Sequence, residues 1–200
     1  MVSAQIFIEG GGDGQLHERT FRKAWSEFFR SAGLSGRMPA IVRGGGRDQT
    51  YAKFAHAVRN PHARKLPVLL VDSEAKVTAG STVWQHLQRR DCWSRPDGAR
   101  DDQAFLMVVA RETWFLADRE LLKGHFGREL VESHFKAWPM LEEVPKDTVL
   151  DVLQAATARC SPPYDKGKVS FDLLAKLNSS CVEVACPHAK ELLSRLRTLS

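Results

Sequence analysis

The sequence lacks any apolar run close to the roughly 20 residues that a membrane-spanning helix needs. Its amino terminus, MVSAQIFIEG, has neither the basic start nor the cleavage site of a secretory signal. The four cysteines are too few for a disulfide scaffold, and they are expected to be reduced thiols. Cys181, Cys186 and His188 lie close together, but no second ligand pair completes a zinc site. We therefore expect a cytoplasmic protein without a membrane partner.

Motifs for nucleophilic catalysis and nucleotide binding are also missing. The chain contains no G-x-S-x-G elbow, so a serine hydrolase is not indicated. The glycine-rich run GGGDG, at residues 10–14, lacks the Gly-Lys-Ser/Thr ending of a phosphate-binding loop. His17 stands where the dinucleotide fingerprint requires glycine. Neither ATP binding nor NAD binding is therefore predicted.

The pattern that is present is that of a layered α/β domain. A length of 200 residues, with 43% hydrophobic and 26% charged residues, fits one globular domain. Short apolar runs alternate with amphipathic segments, which predicts a central, mostly parallel sheet flanked by helices over residues 1–127. A helical periodicity then predicts a C-terminal helical extension, residues 128–200, packed on that domain. The predicted strands are residues 5–9, 39–46, 67–72 and 104–110, and the predicted helices are residues 16–32, 51–58 and 82–90.

Acidic residues stand at the ends of two predicted strands. Glu9 closes the first strand, and Asp72 closes the third with Glu74 two residues later. Because ligands bind beyond the carboxyl ends of parallel strands, we expect these carboxylates to converge at one edge of the sheet. Converging carboxylates repel one another unless a cation neutralises them, and hard oxygen ligands suit Mg²⁺ or Mn²⁺. The alternative is that each acid is a helix cap or a solvated strand end.

Two further acids are candidates for the same metal site. Asp13 lies in the glycine-rich loop after the first strand, where a helix cap explains it equally well. Glu112 follows the fourth predicted strand and is placed to join the acidic cluster. Trp114, close by, is expected to pack in the core beneath the cluster rather than to stack on a base.

Basic residues gather in patches, on a chain with a formal net charge of +5 and a pI near 9.2. Arg43 and Arg47 flank a glycine turn after the second predicted strand, where they could hold a nucleic-acid backbone. Lys166 and Lys168 form another patch. Solvated surface charges explain these patches equally well, so the charge alone does not establish a polyanionic partner.

Several motifs together carry a family resemblance. The glutamate of IFIEGGGDG, followed by the Asp-x-Glu of LLVDSEAK, resembles the Toprim domain of topoisomerases, primases and overcoming-lysogenization-defect nucleases. With the Asp-Asp-Gln before LMVV, the segment ETWFLAD and the segment KGKVSF, the chain resembles a Toprim-like bacterial family, domain of unknown function 4276. The usual Toprim motif is Asp-x-Asp, so Glu74 departs from it in the second place.

The resemblance implies a metal-dependent nuclease centre. Glu9 would act as metal ligand or general acid/base, with Asp72 and Glu74 as ligands of Mg²⁺ or Mn²⁺. Members of the family are often encoded beside an ATPase in anti-phage islands, which implies a partner ATPase. The cations expected to contact the nucleic acid are Arg43, Arg47, Lys76, Lys166 and Lys168.

We therefore expect a nuclease, or a nuclease-like effector, that cleaves phosphodiesters of DNA or RNA in anti-phage defence. One alternative is an inert Toprim-like scaffold that binds an ATPase or a nucleic acid without cutting it. Another is a small-molecule phosphotransferase or phosphatase that uses the same acids. The sequence does not distinguish DNA from RNA, and it is compatible with a homodimer.

Overall fold

A four-stranded parallel sheet forms the centre of the computed structural model, which describes residues 3–10, 15–61 and 65–199. Its strands are β1 (Ser3–Glu9), β2 (Ala40–Gly45), β3 (Lys65–Asp72) and β4 (Ala104–Met107). They lie in the order β2-β1-β3-β4, and all three pairs of neighbours are parallel. The predicted α/β fold with a parallel central sheet is confirmed.

Three helices cross between these strands. They are α1 (Gln15–Ser31), α2 (Arg47–Arg59) and α3 (Val83–Asp91). Since parallel crossovers are right-handed, the strand order requires α1 on one face of the sheet and α2 with α3 on the other. Phe54 of α2 accordingly packs against Trp84 of α3, with ring centroids 6.0 Å apart. The chain changes direction across the sheet between β1 and β3, which makes the carboxyl ends of these two strands the topological switch point.

The chain after β4 is helical, and the helical C-terminal part predicted from residue 128 is confirmed. The chain after β4 contains α4 (Arg111–Ala117), α5 (Arg119–Phe126), α6 (Lys146–Thr157), α7 (Lys168–Lys176), α8 (Ser179–Ala185) and α9 (Pro187–Thr198). Helix α7 packs against α1, and α9 packs against β4. The buried apolar residues of the sheet and of these helices form one continuous core. In the described ranges, no helix is both long and apolar enough to cross a membrane.

An aromatic cluster joins α1 to α4. Trp114 is fully buried, stacks on Phe28 at 5.3 Å between ring centroids, and meets Trp25 edge-on at 5.9 Å. The prediction that Trp114 is a core residue is confirmed. Such aromatic pairs add stability beyond the apolar area that they bury.

Strand β4 is shorter than predicted. The apolar run suggested a strand over residues 104–110, but β4 ends at Met107. The next residues remain buried and hydrogen-bonded without being a strand, because Val109 N donates to Thr113 Oγ1 at 3.2 Å, and its carbonyl accepts from Glu74 N at 2.8 Å. Burial of an apolar run therefore misled the sequence-based strand boundary.

Candidate metal centre

The carboxyl ends of β1 and β3 bring Glu9, Asp72 and Glu74 together. Each residue offers one carboxylate oxygen, and these three atoms all lie within 4.8 Å of one another. All three residues are partly buried rather than fully exposed. The acidic cluster, defined as these three residues, occupies the topological switch point of the sheet.

Glu9 and Asp72 are connected directly. Glu9 Oε2 accepts a hydrogen bond from the backbone N–H of Asp72 at 3.1 Å, and Asp72 Oδ1 accepts one from the backbone N–H of Arg111 at 3.0 Å. Burial raises the pKa of Asp72 to about 7, with further contributions from the charges of Glu112 and Glu9. Burial also raises the pKa of Glu9, against the opposing charge of Arg47. The folded chain thus places these carboxylates where their negative charge is unfavourable.

Glu74 points into the cluster from a left-handed backbone. Its φ is +65°, in a region that is unfavourable for any residue with a Cβ. The turn is fixed on both sides, since Glu74 N donates to the carbonyl of Val109 at 2.8 Å and Ser73 N donates to that of Met107 at 2.9 Å. The buried His86 adds a hydrogen bond from Nε2 to the Ser73 carbonyl at 2.9 Å. Backbone strain of this kind is characteristic of functional sites.

This strain gives a matched pair of variants. We expect Glu74→Gly to be more stable than Glu74→Ala by about 1 kcal/mol, because both lose the carboxylate but only alanine keeps the unfavourable φ. Urea denaturation of the two variants in EDTA measures the difference. An alanine variant as stable as the glycine variant would mean that the turn relaxes without cost.

Arg47 lies at the centre of the contacts around the cluster. Its Nη1 donates to Glu9 Oε2 at 3.1 Å and to the backbone carbonyl of Asp72. Its Nε and Nη2 form a two-point contact with Asp91 at 2.8 and 2.7 Å. The sequence suggested a nucleic-acid contact for Arg47, but the structure turns its guanidinium inward, with 14% of the side chain exposed.

The glycines before Arg47 explain how it reaches the cluster. The predicted loop from Arg43 to Arg47 is instead the end of β2, a single linking residue and the start of α2. A Cβ on Gly44 would lie 1.9 Å from Thr50 Oγ1, and Gly45 has a φ of +89°. Only glycine permits this close, left-handed junction between strand and helix.

Two more cations approach the cluster, and sequence reasoning gave them no role in it. Lys146, the first residue of α6, places Nζ 2.5 Å from Glu74 Oε1 and 3.9 Å from Asp72 Oδ2. Arg90 Nη2 lies 3.7 Å from Glu74 Oε2. No motif marks Lys146, whose contact with Glu74 spans 72 residues of sequence.

Glu112 lies behind the cluster rather than in it. It is buried in the first turn of α4, where Oε1 accepts a hydrogen bond from the Tyr164 hydroxyl at 2.8 Å. Arg111 Nη2 lies 3.7 Å from the same oxygen. Burial and the charge of Glu112 raise the pKa of Tyr164, so the phenol stays protonated and donates. Among the described residues, the mutually close ligand atoms belong to the other three acids. Asp13, the remaining predicted ligand, lies outside the described residues.

The other predicted nucleic-acid contacts are dispersed. Arg43 lies within β2 and is partly buried. Lys76 is exposed and pairs with Glu143 at 2.7 Å. Lys168 is the exposed first residue of α7, the helix that packs against α1, and Lys166 is exposed two residues before it.

Comparison with known proteins identifies one family. Residues 8–197 match the profile of the family described as Domain of unknown function (DUF4276). No curated protein and no solved structure matches the chain. The match includes all three acids of the cluster as well as Arg47 and Lys146.

Proposed function

The chain belongs to the family described as Domain of unknown function (DUF4276), and from its acidic cluster we propose a divalent-metal-dependent phosphodiester hydrolase that acts on DNA or RNA. One observation carries the proposal: three carboxylate oxygens lie within 4.8 Å of one another at the switch point of a parallel sheet. The resemblance of the strand-end motifs to Toprim nucleases supports it.

The chemistry of the acidic cluster fits Mg²⁺ or Mn²⁺. The three residues supply only hard oxygen ligands, which these ions prefer over nitrogen or sulfur. Two of the three have pKa values raised by burial, and a bound cation would relieve the unfavourable negative charge. The strained backbone of Glu74 is consistent with a carboxylate held for binding. Glu9, Asp72 and Glu74 would hold the ion, which when bound would polarise a phosphodiester and activate a water.

Two groups beside the cluster have roles of their own. Lys146 lies 3.9 Å from Asp72 Oδ2 and supplies a positive charge where a phosphate oxygen would gain negative charge. The backbone N–H of Arg111 holds Asp72 Oδ1 at 3.0 Å, and the other carboxylate oxygen lies on the side of Lys146. Both groups position charge without taking part in bond breaking.

We infer the wider role from the family resemblance. A nuclease in an anti-phage system requires control, and a partner ATPase encoded beside it would provide that control. We place the activity in the cytoplasm, with nucleic acid as substrate. The basic character of the chain, with a formal net charge of +5, favours a polyanionic substrate over a small phosphate ester.

A second candidate is an inert scaffold that binds the ATPase or a nucleic acid without cutting it. The observation that favours it is the ion pairing of the cluster, since Arg47 pairs with Glu9 and Lys146 pairs with Glu74. A metal ion would compete with Lys146 for the Glu74 carboxylate. Metal titration therefore separates the two candidates.

Cleavage of defined substrates tests the proposal. The purified protein, with and without the proposed partner ATPase, is incubated with plasmid, single-stranded DNA and total transfer RNA in Mg²⁺ or Mn²⁺. We expect cleavage that is lost in Glu9→Gln and Asp72→Asn but retained in Asp151→Asn, a matched change at an exposed aspartate of α6. Unaltered cleavage by Asp72→Asn would remove the cluster from the mechanism. Binding of the ATPase with neither metal binding nor cleavage would favour the scaffold.

A further inference from the structure

A basic groove of about 630 Å³ runs between α1 and α7. The role proposed for the acidic cluster does not explain its positive charge. Arg19 and Lys23 line it from α1, and Lys168 and Lys176 line it from α7. Asp172 is the only acid among its lining residues in the part of the chain that the structure describes. The groove therefore presents a concentrated positive charge to solvent.

The four cations of the groove are exposed and available. None of them forms an ion pair within 4 Å of a carboxylate in residues 3–10, 15–61 or 65–199. Other cations of the same helix behave differently, because Arg22 pairs with Glu18 at 2.7 Å and Arg30 pairs with Glu27. On α1, Arg22 and Arg30 thus form close ion pairs, whereas Arg19 and Lys23, which line the groove, form none within 4 Å in the described part of the chain.

The groove is connected to the acidic cluster through one residue. The guanidinium of Arg111 lies 5.2 Å from the ring centroid of Phe171, which lines the groove, and Nη2 donates to Ser170 Oγ at 2.7 Å. The backbone N–H of the same arginine holds Asp72 Oδ1. The lining of the groove is therefore separated from the acidic cluster by a single residue, Arg111.

We infer that the groove binds the phosphate backbone of a nucleic-acid strand and leads it to the acidic cluster; this inference rests on the proposed function for the role of the cluster. Lys168 and Lys176 are eight residues apart on α7, about 12 Å along the helix. That length matches the rise of about three stacked nucleotides. Phe171 is 7% exposed and offers no open ring face for base stacking, so binding is dominated by phosphates and independent of sequence.

Salt-dependent binding of a fluorescent single-stranded oligonucleotide tests the groove, with EDTA present so that no metal is bound. Lys23→Gln combined with Lys168→Gln removes one cation from each wall of the groove. We expect the slope of log K against log salt to fall by about 1.4, and affinity at low salt to fall about tenfold. Both positions are exposed, so we expect the substitutions to leave folding intact, and circular dichroism of the variants checks this.

The matched control is Lys65→Gln combined with Lys190→Gln, which changes the net charge equally outside the groove. Lys65 is the first residue of β3, at the end of the strand opposite to Asp72, and Lys190 lies on α9. We expect this variant to keep the wild-type slope. Equal slopes for the two double variants would overturn the assignment of the groove as a nucleic-acid binding site. Tighter binding of polyglutamate than of the oligonucleotide would overturn it as well.

The outcomes also separate this inference from the proposed function. Binding in EDTA that depends on the groove cations, with no cleavage of any substrate in the presence of metal, would support the groove as a binding site and contradict the nuclease function. Metal-dependent cleavage that is unchanged by Lys23→Gln combined with Lys168→Gln would support the nuclease function and contradict the role of the groove.

Discussion

Asp72→Asn is expected to weaken Mn²⁺ binding by at least about a hundredfold, since loss of a group that only supports a ligand already costs 10- to 100-fold. Asparagine keeps the size of the side chain and an oxygen that accepts from Arg111 N–H, but it lacks the negative charge. Isothermal titration of the protein with MnCl₂ at pH 8 measures the change. At that pH the wild-type carboxylate is ionised, because its pKa is about 7.

Asp151→Asn is the control for this measurement. It makes the same chemical change at an exposed position of α6, outside the acidic cluster, and should bind Mn²⁺ like the wild type. Equal affinities for Asp72→Asn and the wild type would show that the cluster is an ion-paired structural element, as the scaffold alternative requires.

The same substitution is expected to stabilise the metal-free protein. The pKa of Asp72 rises from its ordinary 3.8 to about 7, so between those pH values the folded protein holds a proton that the unfolded chain has released. The stability of the wild type therefore falls as pH rises from about 4 to about 7, and stays at the lower level above that. Asparagine avoids this loss, and we expect Asp72→Asn to be more stable at pH 8 by about 1–3 kcal/mol.

Urea denaturation in EDTA at pH 8 and pH 5 measures this effect. The gain should shrink markedly at pH 5, where the folded wild type is already protonated at Asp72. The exposed Asp151→Asn should give no gain at either pH. A loss of stability in Asp72→Asn at both pH values would mean that the carboxylate stabilises the folded protein. It would contradict the expectation that the ionised carboxylate destabilises the metal-free fold.

The acids of the cluster could be predicted from sequence because strand ends are readable. Apolar runs locate β1 and β3, and the last residue of each strand is Glu9 or Asp72. Parallel strands then require both side chains to lie at the same sheet edge. The order of the strands was not needed for this step, although the structure places both residues at the switch point between neighbouring strands.

The contacts around the acids could not be predicted because their partners are distant in sequence. Arg47 and Asp91 are separated by 44 residues, and Tyr164 and Glu112 by 52. Neither pair belongs to a local motif or a helical spacing. Glu112 illustrates the limit, since its position after an apolar run suggested a metal ligand, whereas the chain leaves the sheet at Met107 and buries Glu112 beside Tyr164.

Arg47 has a consequence for how a ligand would be received. It contacts Glu9 at the end of β1, the carbonyl of Asp72 at the end of β3 and Asp91 at the end of α3. An arginine side chain carries about 2 kcal/mol of rotamer entropy, part of which is lost when it is fixed. Because these contacts already exist in the folded chain, that loss belongs to folding and not to binding. An incoming ion would therefore meet two strand ends that Arg47 already holds together. Its binding would cost little further conformational entropy.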